Sequence, residues 1–167
     1  MIVFYYSIPD LVKRITEEGI RFIRRAKDQD GNSLLNILSV GDEDDSYVKK
    51  LLKEVSAQDI FSILEPYTSG LADLDTPLEG YEWDVTYDTT ANCVVFRMIE
   101  TETMPAAIVT PMESAIENAL VNKTVSQFFV RNGWDGSLHN QLFEINKENL
   151  IGYINRRSGL KRTYKFY

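Results

Sequence analysis

Residues that could do chemistry are few in this chain, and their spacing gives them little to work with. His139 is the only histidine and Cys93 the only cysteine among 167 residues, so a Ser-His-Asp or Cys-His relay would have to run through one imidazole. No nucleophile motif accompanies it, and its place early in a helix predicts a surface or capping role. Zinc sites draw on several Cys and His ligands, and one of each does not supply them. Asp28, Asp30 and Asn32 match the first three ligands of a calcium loop. Ser33 then stands where the loop needs glycine, and Ser39 where it needs a bidentate acid. Started from Asp42, the same template ends on Lys53. The run Asp42-Glu43-Asp44-Asp45 is better read as the acidic opening of a helix, with a loosely held divalent cation as the alternative.

Phosphate chemistry has no cradle here, because neither GxxxxGK[ST] nor GxGxxG occurs. The carboxylates Glu82 and Asp84 alternate with Tyr81, Trp83, Val85 and Tyr87, which sends them to the solvated side of a strand. Trp83 and Trp134 are expected to anchor a core or an interface. The one clustered feature is the C-terminal run Arg156, Arg157, Lys161, Arg162, Tyr164, Lys165, Phe166 and Tyr167, basic and aromatic with no acid. Such a run suits phosphates and stacked bases. It suits an acidic protein surface equally, and the net charge of −7 for the whole chain argues against nucleic acid as the main partner. The charge is also polarised. Residues 42–117 hold seventeen acidic and four basic side chains, while residues 118–167 hold eight basic and three acidic. An acidic middle and a basic end favour head-to-tail contact between copies, or else form two solvated surfaces of opposite sign.

The elements that must carry these residues read as one mainly α domain (α+β), a helical bundle with one inserted β-hairpin. With 44% hydrophobic and 26% charged residues, the chain has the composition of a globular protein with a packed core. No apolar run is long enough to cross a membrane. The apolar start MIVFYYSIPD lacks a basic region and a cleavage site, so it does not read as a signal peptide. A single cysteine fits a reducing cytoplasm. Ser7-x-x-Asp10 opens a helix over about 8–27, with Ile8, Leu11, Val12, Ile15, Gly19, Phe22, Ile23 and Ala26 on one face. A second helix covers about 44–65 through Tyr47, Val48, Leu51, Leu52, Val55, Ile60 and Ile63. Ser56-Ala57-Gln58-Asp59 repeats a capping pattern that allows a break or kink near Ser56. The period then changes from 3.6 to 2, giving a hairpin over about 81–99 with its turn at 88–92. Thr110-Pro111-Met112-Glu113 reads as N-cap, N1 and N3 of a helix over 111–131 that stops at Asn132-Gly133. The last helix spans about 138–155, with Leu138, Leu142, Ile145, Asn149 and Tyr153 near one face, and the basic tail 156–167 follows. The expected core is Ile15, Phe22, Leu51, Leu52, Ile116 and Leu120.

In that order the features resemble the small head–tail connector, head-completion or neck proteins of tailed bacteriophages and prophages. Three stretches carry the likeness. They are Val40 to Leu52, an acidic turn opening a long helix; Ala115 to Phe129, similar to an "ALVN…W" helix; and Leu150 to Arg157 with Lys161-Arg162, similar to an arginine-rich helix end. Phe128-Phe129 stands where that family usually has a tryptophan. The resemblance implies a non-enzymatic structural subunit of the virion, without cofactor or metal, and for such a subunit the reducing cytoplasm would be that of the host. Its partners would be further copies of itself, in a ring, and other virion proteins. Nucleic acid is a secondary partner and a membrane is none. On this reading the residues from Arg156 to Tyr167 dock on the acidic 42–117 surface of a neighbouring copy or on another virion protein. The alternatives are a small regulatory or nucleic-acid-binding module that uses the same tail, and an enzyme built on scattered carboxylates.

Overall fold

Hydrophobic residues at helical spacing must find a common interior, and in a computed structural model they do. The structure describes residues 2–23, 42–64, 83–88, 92–98 and 106–157. The chain opens with strand β1 (Ile2–Ser7) and passes directly into helix α1 (Ile8–Ile23). Helix α2 (Asp42–Glu54) continues through a π-helical segment (Val55–Ile60) into α3 (Phe61–Leu64). Strands β2 (Trp83–Asp88) and β3 (Cys93–Met98) form the hairpin. A 3-10 turn (Ala106–Ile108) then leads into α4 (Val109–Arg131), and α5 (Ser137–Arg157) follows. The described part is thus mostly helical with an antiparallel hairpin inserted between helices, as the periodicities predict.

One strand goes beyond the sequence reading, which assigns no element to Ile2–Ser7. β1 pairs antiparallel with β3 in the register Phe4↔Phe96 and Tyr6↔Val94, so the sheet order is β1-β3-β2. Phe4, Tyr6, Val94 and Phe96 face the core, while Tyr5, one residue out of phase, is 64% exposed. Tyr6 also ties the sheet to the bundle, its hydroxyl donating to the Glu113 carbonyl at 2.9 Å. Burial, helped by the nearby Glu113 and Glu117 carboxylates, pushes the Tyr6 phenol well above its ordinary pKa, so it stays a neutral donor. Asn92 closes the hairpin with a left-handed backbone (φ 53°), a conformation that asparagine tolerates, and its carbonyl accepts from the Ile8 amide at 2.9 Å.

α1 is amphipathic as its spacing requires. Ile8, Leu11, Val12 and Ile15 are buried, and Lys13, Glu17 and Arg21 are exposed. Ser7 Oγ accepts from the Asp10 amide at 3.4 Å, the long end of such a bond. Residues 24–27 and the side chain of Phe22 lie outside the described residues. On α2, Val48, Leu51 and Leu52 are buried, as is Val55 just beyond it; Leu51 and Leu52, with Ile116 and Leu120 of α4, are fully so. Burying each contributes roughly 1.5–3 kcal/mol. α2 begins at Asp42, so the four acids form its first turn, two residues earlier than the spacing predicts.

Two sequence signals resolve differently from a simple helix start. Ser56 does not cap a new helix, and the irregularity allowed there is a π-helical turn and not a break. Its buried hydroxyl donates back to the Leu52 carbonyl at 2.7 Å, and the Phe61 amide reaches the Ser56 carbonyl five residues behind, so the helix passes through a wider turn without ending. Thr110 is not the N-cap of α4 either. The 3-10 turn at Ala106–Ile108 feeds the helix from further upstream and moves its start to Val109. Pro111 is still tolerated, because the amide it lacks belongs to the first turn.

Candidate interaction surface

The surface with the clearest unexplained chemistry lies on the α4–α5 hairpin, and its position follows from how the two helices are joined. α4 ends at Arg131. Gly133 adopts φ 78°, a left-handed conformation open to glycine, and donates to the Val130 carbonyl at 3.1 Å. The Trp134 amide donates to the Phe129 carbonyl at 2.9 Å, and the two rings pack edge to face at 5.8 Å. Those two bonds and the ring contact make a complete Schellman stop, read correctly from Asn132-Gly133. Trp134 also meets Phe128 at 6.1 Å, so it anchors the core as expected. At Gly136 a β-carbon would sit 2.6 Å from the Ser126 carbonyl oxygen, and this absence of a side chain lets the turn fold back onto α4. Asp135 Oδ1 accepts from the Ser137 amide at 2.9 Å and starts α5; the same bond holds its carboxyl below the usual range.

α5 buries His139, Phe143, Leu150 and Ile154 against the rest of the molecule. One sequence expectation fails on this helix and another is met only in part. His139 is interior, not superficial: it is 4% exposed, its Nδ1 lies 3.2 Å from Asn122 Oδ1, and its ring stands edge-on to Phe129 at 5.6 Å. Burial lowers its pKa, offset in part by Glu18, and the imidazole is held neutral. Of the face Leu138, Leu142, Ile145, Asn149 and Tyr153, Tyr153 alone packs against the core. Leu138 is 48%, Leu142 37% and Ile145 54% exposed, and Asn149 is exposed as well. α5 carries two apolar stripes, and bulk decided between them: the one with Phe143 turned inward. Leu138, Leu142 and Ile145 follow the 4-then-3 spacing of a helix seam and lie one above another in solvent.

The opposite flank of α5 is polar. Lys123 Nζ on α4 lies 3.4 Å from Asp59 Oδ1, 3.4 Å from Asn140 Oδ1 and 4.7 Å above the Phe143 ring centre. Gln127 Nε2 donates to Asp59 Oδ2 at 3.1 Å. Asp59 comes from the π-helical segment, so this cluster bolts that segment to the α4–α5 hairpin. Beside it run two open grooves. One, of about 610 Å³, is lined by Trp134, Ser137 and Asn140 among others. The other, of about 420 Å³, is lined by Ser62, Phe143 and Lys147 among others. His139 lines neither, and Lys123, which lines both, is neutralised in place by Asp59. Nearby Arg131 is likewise paired with Glu54 at 2.7 Å.

Of the residues singled out from sequence, Arg156 and Arg157 belong to α5, which runs two residues beyond its expected end. Their side chains, and Lys161, Arg162, Tyr164, Lys165, Phe166 and Tyr167, lie outside the described residues. The stripe was missed as a surface because its spacing is also that of a core face. Its one distinguishing signal was a second, bulkier stripe on the same helix. Comparison of the chain with protein-family models, with curated proteins and with solved structures gives no match in any of the three.

Proposed function

We propose that this chain is a non-enzymatic structural subunit that works by protein–protein assembly, of the kind found in the head–tail connector or neck of tailed bacteriophages and prophages. The observation that carries the assembly reading is the exposed stripe Leu138, Leu142 and Ile145 on a well-packed helix. A stripe rimmed by polar residues marks a contact surface, because leaving it in water forfeits burial that a partner would supply. The connector part of the reading rests on the order of the sequence features: an acidic helix opening at Asp42, the helix containing Ala115 to Phe129, and a terminal helix ending in Arg156-Arg157.

The test is light scattering coupled to size-exclusion chromatography over a concentration series. Concentration-dependent assembly that is lost when Leu142 and Ile145 are both replaced by Glu supports the proposal. A chain that stays monomeric, and is retained on heparin in a salt-sensitive way, overturns it in favour of a nucleic-acid-binding module.

A further inference from the structure

We propose that Asn132-Gly133, at the turn between α4 and α5, is a self-modifying site: the pair deamidates when the last turn of α4 opens, and the product holds that end open. An asparagine followed by glycine can close on itself, because no β-carbon shields the glycine nitrogen. Gly133 N bonds to Asn132 Cγ, and the side-chain amide group leaves as ammonia, carrying off the proton that Gly133 N loses. Water then opens the resulting succinimide. It gives aspartate or, with the chain rerouted through the β-carbon, isoaspartate. Both residues are exposed, so water reaches them.

The closed turn opposes this reaction by its geometry. Asn132 has φ −92° and ψ 7°. At that ψ the Gly133 nitrogen nearly eclipses the nitrogen of Asn132 itself, and the β-carbon lies about 120° round the Cα–C bond. A five-membered ring needs the nitrogen and the β-carbon on the same side, so the backbone must rotate first. Rotation breaks bonds already in place. The Gly133 amide donates to the Val130 carbonyl at 3.1 Å, the Trp134 amide to the Phe129 carbonyl at 2.9 Å, and Asn132 Nδ2 to the Phe128 carbonyl at 2.7 Å. All three belong to a helix end, the part of a helix that opens most readily. The product does not remake them. A carboxylate has no donor for the Phe128 carbonyl, and its charge stands at the negative end of α4. Isoaspartate adds a backbone atom before Gly133 and puts the Schellman bonds out of register. Asp135-Gly136, in the same turn, does not compete. Its ring closure needs a neutral carboxyl, and the Ser137 amide keeps that of Asp135 ionised, while Gly136 is buried.

Peptide mapping by mass spectrometry follows Asn132 in the full-length chain, incubated at mildly alkaline pH. In urea above the unfolding midpoint the pair should deamidate fastest. In the native state the rate should be lower by roughly tenfold or more, the measure of how seldom the end of α4 opens. Small additions of urea below the midpoint should leave the native rate nearly unchanged, since a local opening exposes little surface. The deamidated fraction, separated by anion exchange on its added negative charge, should melt below the parent chain. An Asn132 that stays intact in the native chain or in urea, or that reacts equally fast in both, overturns the inference. A native rate that climbs in step with the globally unfolded fraction overturns it too, as does a deamidated fraction that melts with the parent.

Discussion

α4 and α5 are neighbours of nearly equal length, 23 and 21 residues, yet they meet the rest of the molecule in opposite ways. α4 is packed by α1, α2, the π-helical segment and α5, and its buried residues lie on more than one stripe. Its buried hydroxyls are satisfied internally: Thr124 donates to the Leu120 carbonyl at 2.7 Å and Ser126 to the Gly136 carbonyl at 3.0 Å. α5 is packed on one side and leaves a second apolar stripe in water. Apolar side chains on α4 therefore act on folding, whereas those on the outer stripe of α5 are free to act on association. Substitutions should separate the two.

The largest effect belongs to the centre of α4. Phe129 is fully buried and touches both Trp134 and His139. Phe129→Ala should cost about 3–5 kcal/mol, measured as a shift in urea midpoint. A loss below 1 kcal/mol would show that the hairpin is not held by this ring. Leu52→Ala, on the helix packed against α4, should cost on the order of 2–5 kcal/mol by the same measurement.

His139, between the two helices, makes their packing sensitive to acid. Its folded-state pKa is lowered by burial from an ordinary value of 6.5. Below that value the unfolded chain takes up a proton that the folded one refuses, so stability is full above about pH 6.5 and declines as the pH falls toward the folded-state value. Replacing His139 with Gln should flatten this part of the stability profile between pH 7.5 and 5.5. An unchanged slope would assign it to carboxylates elsewhere. The smallest effect lies on the outer stripe. Leu142→Gln should change monomer stability by no more than about 0.5 kcal/mol, while reducing self-association in the same samples. A cost of several kcal/mol would mean that the stripe is part of the fold after all.

Where one physical rule acted alone, the sequence was a sufficient guide. α1 has a single apolar stripe and a charged opposite face, so periodicity alone orients it. Asn132-Gly133 stops α4 because the left-handed turn there is open to so few residues. The hairpin announced itself by a change of period. Where two rules competed, the reading failed. Ile2 to Tyr6 is apolar without alternation, and its partner strand lies some ninety residues away, so nothing local marks β1. α5 satisfies the helix rule on two stripes, and only the packing of Phe143 and Leu150 decides which is inside. His139 reads as superficial because it comes early in its helix, and only the packing of Phe129 and Asn122 around it shows that it is interior. The exposed stripe is therefore legible as apolar residues but not as a surface.

The wide turn at Val55–Ile60 has a consequence for how this chain tolerates changes in length. Val55 and Ile60 are both fully buried though five residues apart, a spacing that would put them about 140° apart on an unbroken α-helix. The helix accommodates one residue more than its apolar phase requires, which is the signature of a single-residue insertion absorbed without disturbing either end. Removing the exposed Ala57 should bring Val55 and Ile60 to about 40° of each other on an ordinary α-helix and keep both inward. The melting temperature should therefore fall less than on deletion of Ala119, whose helix has no such slack and would turn its buried residues downstream out of the core.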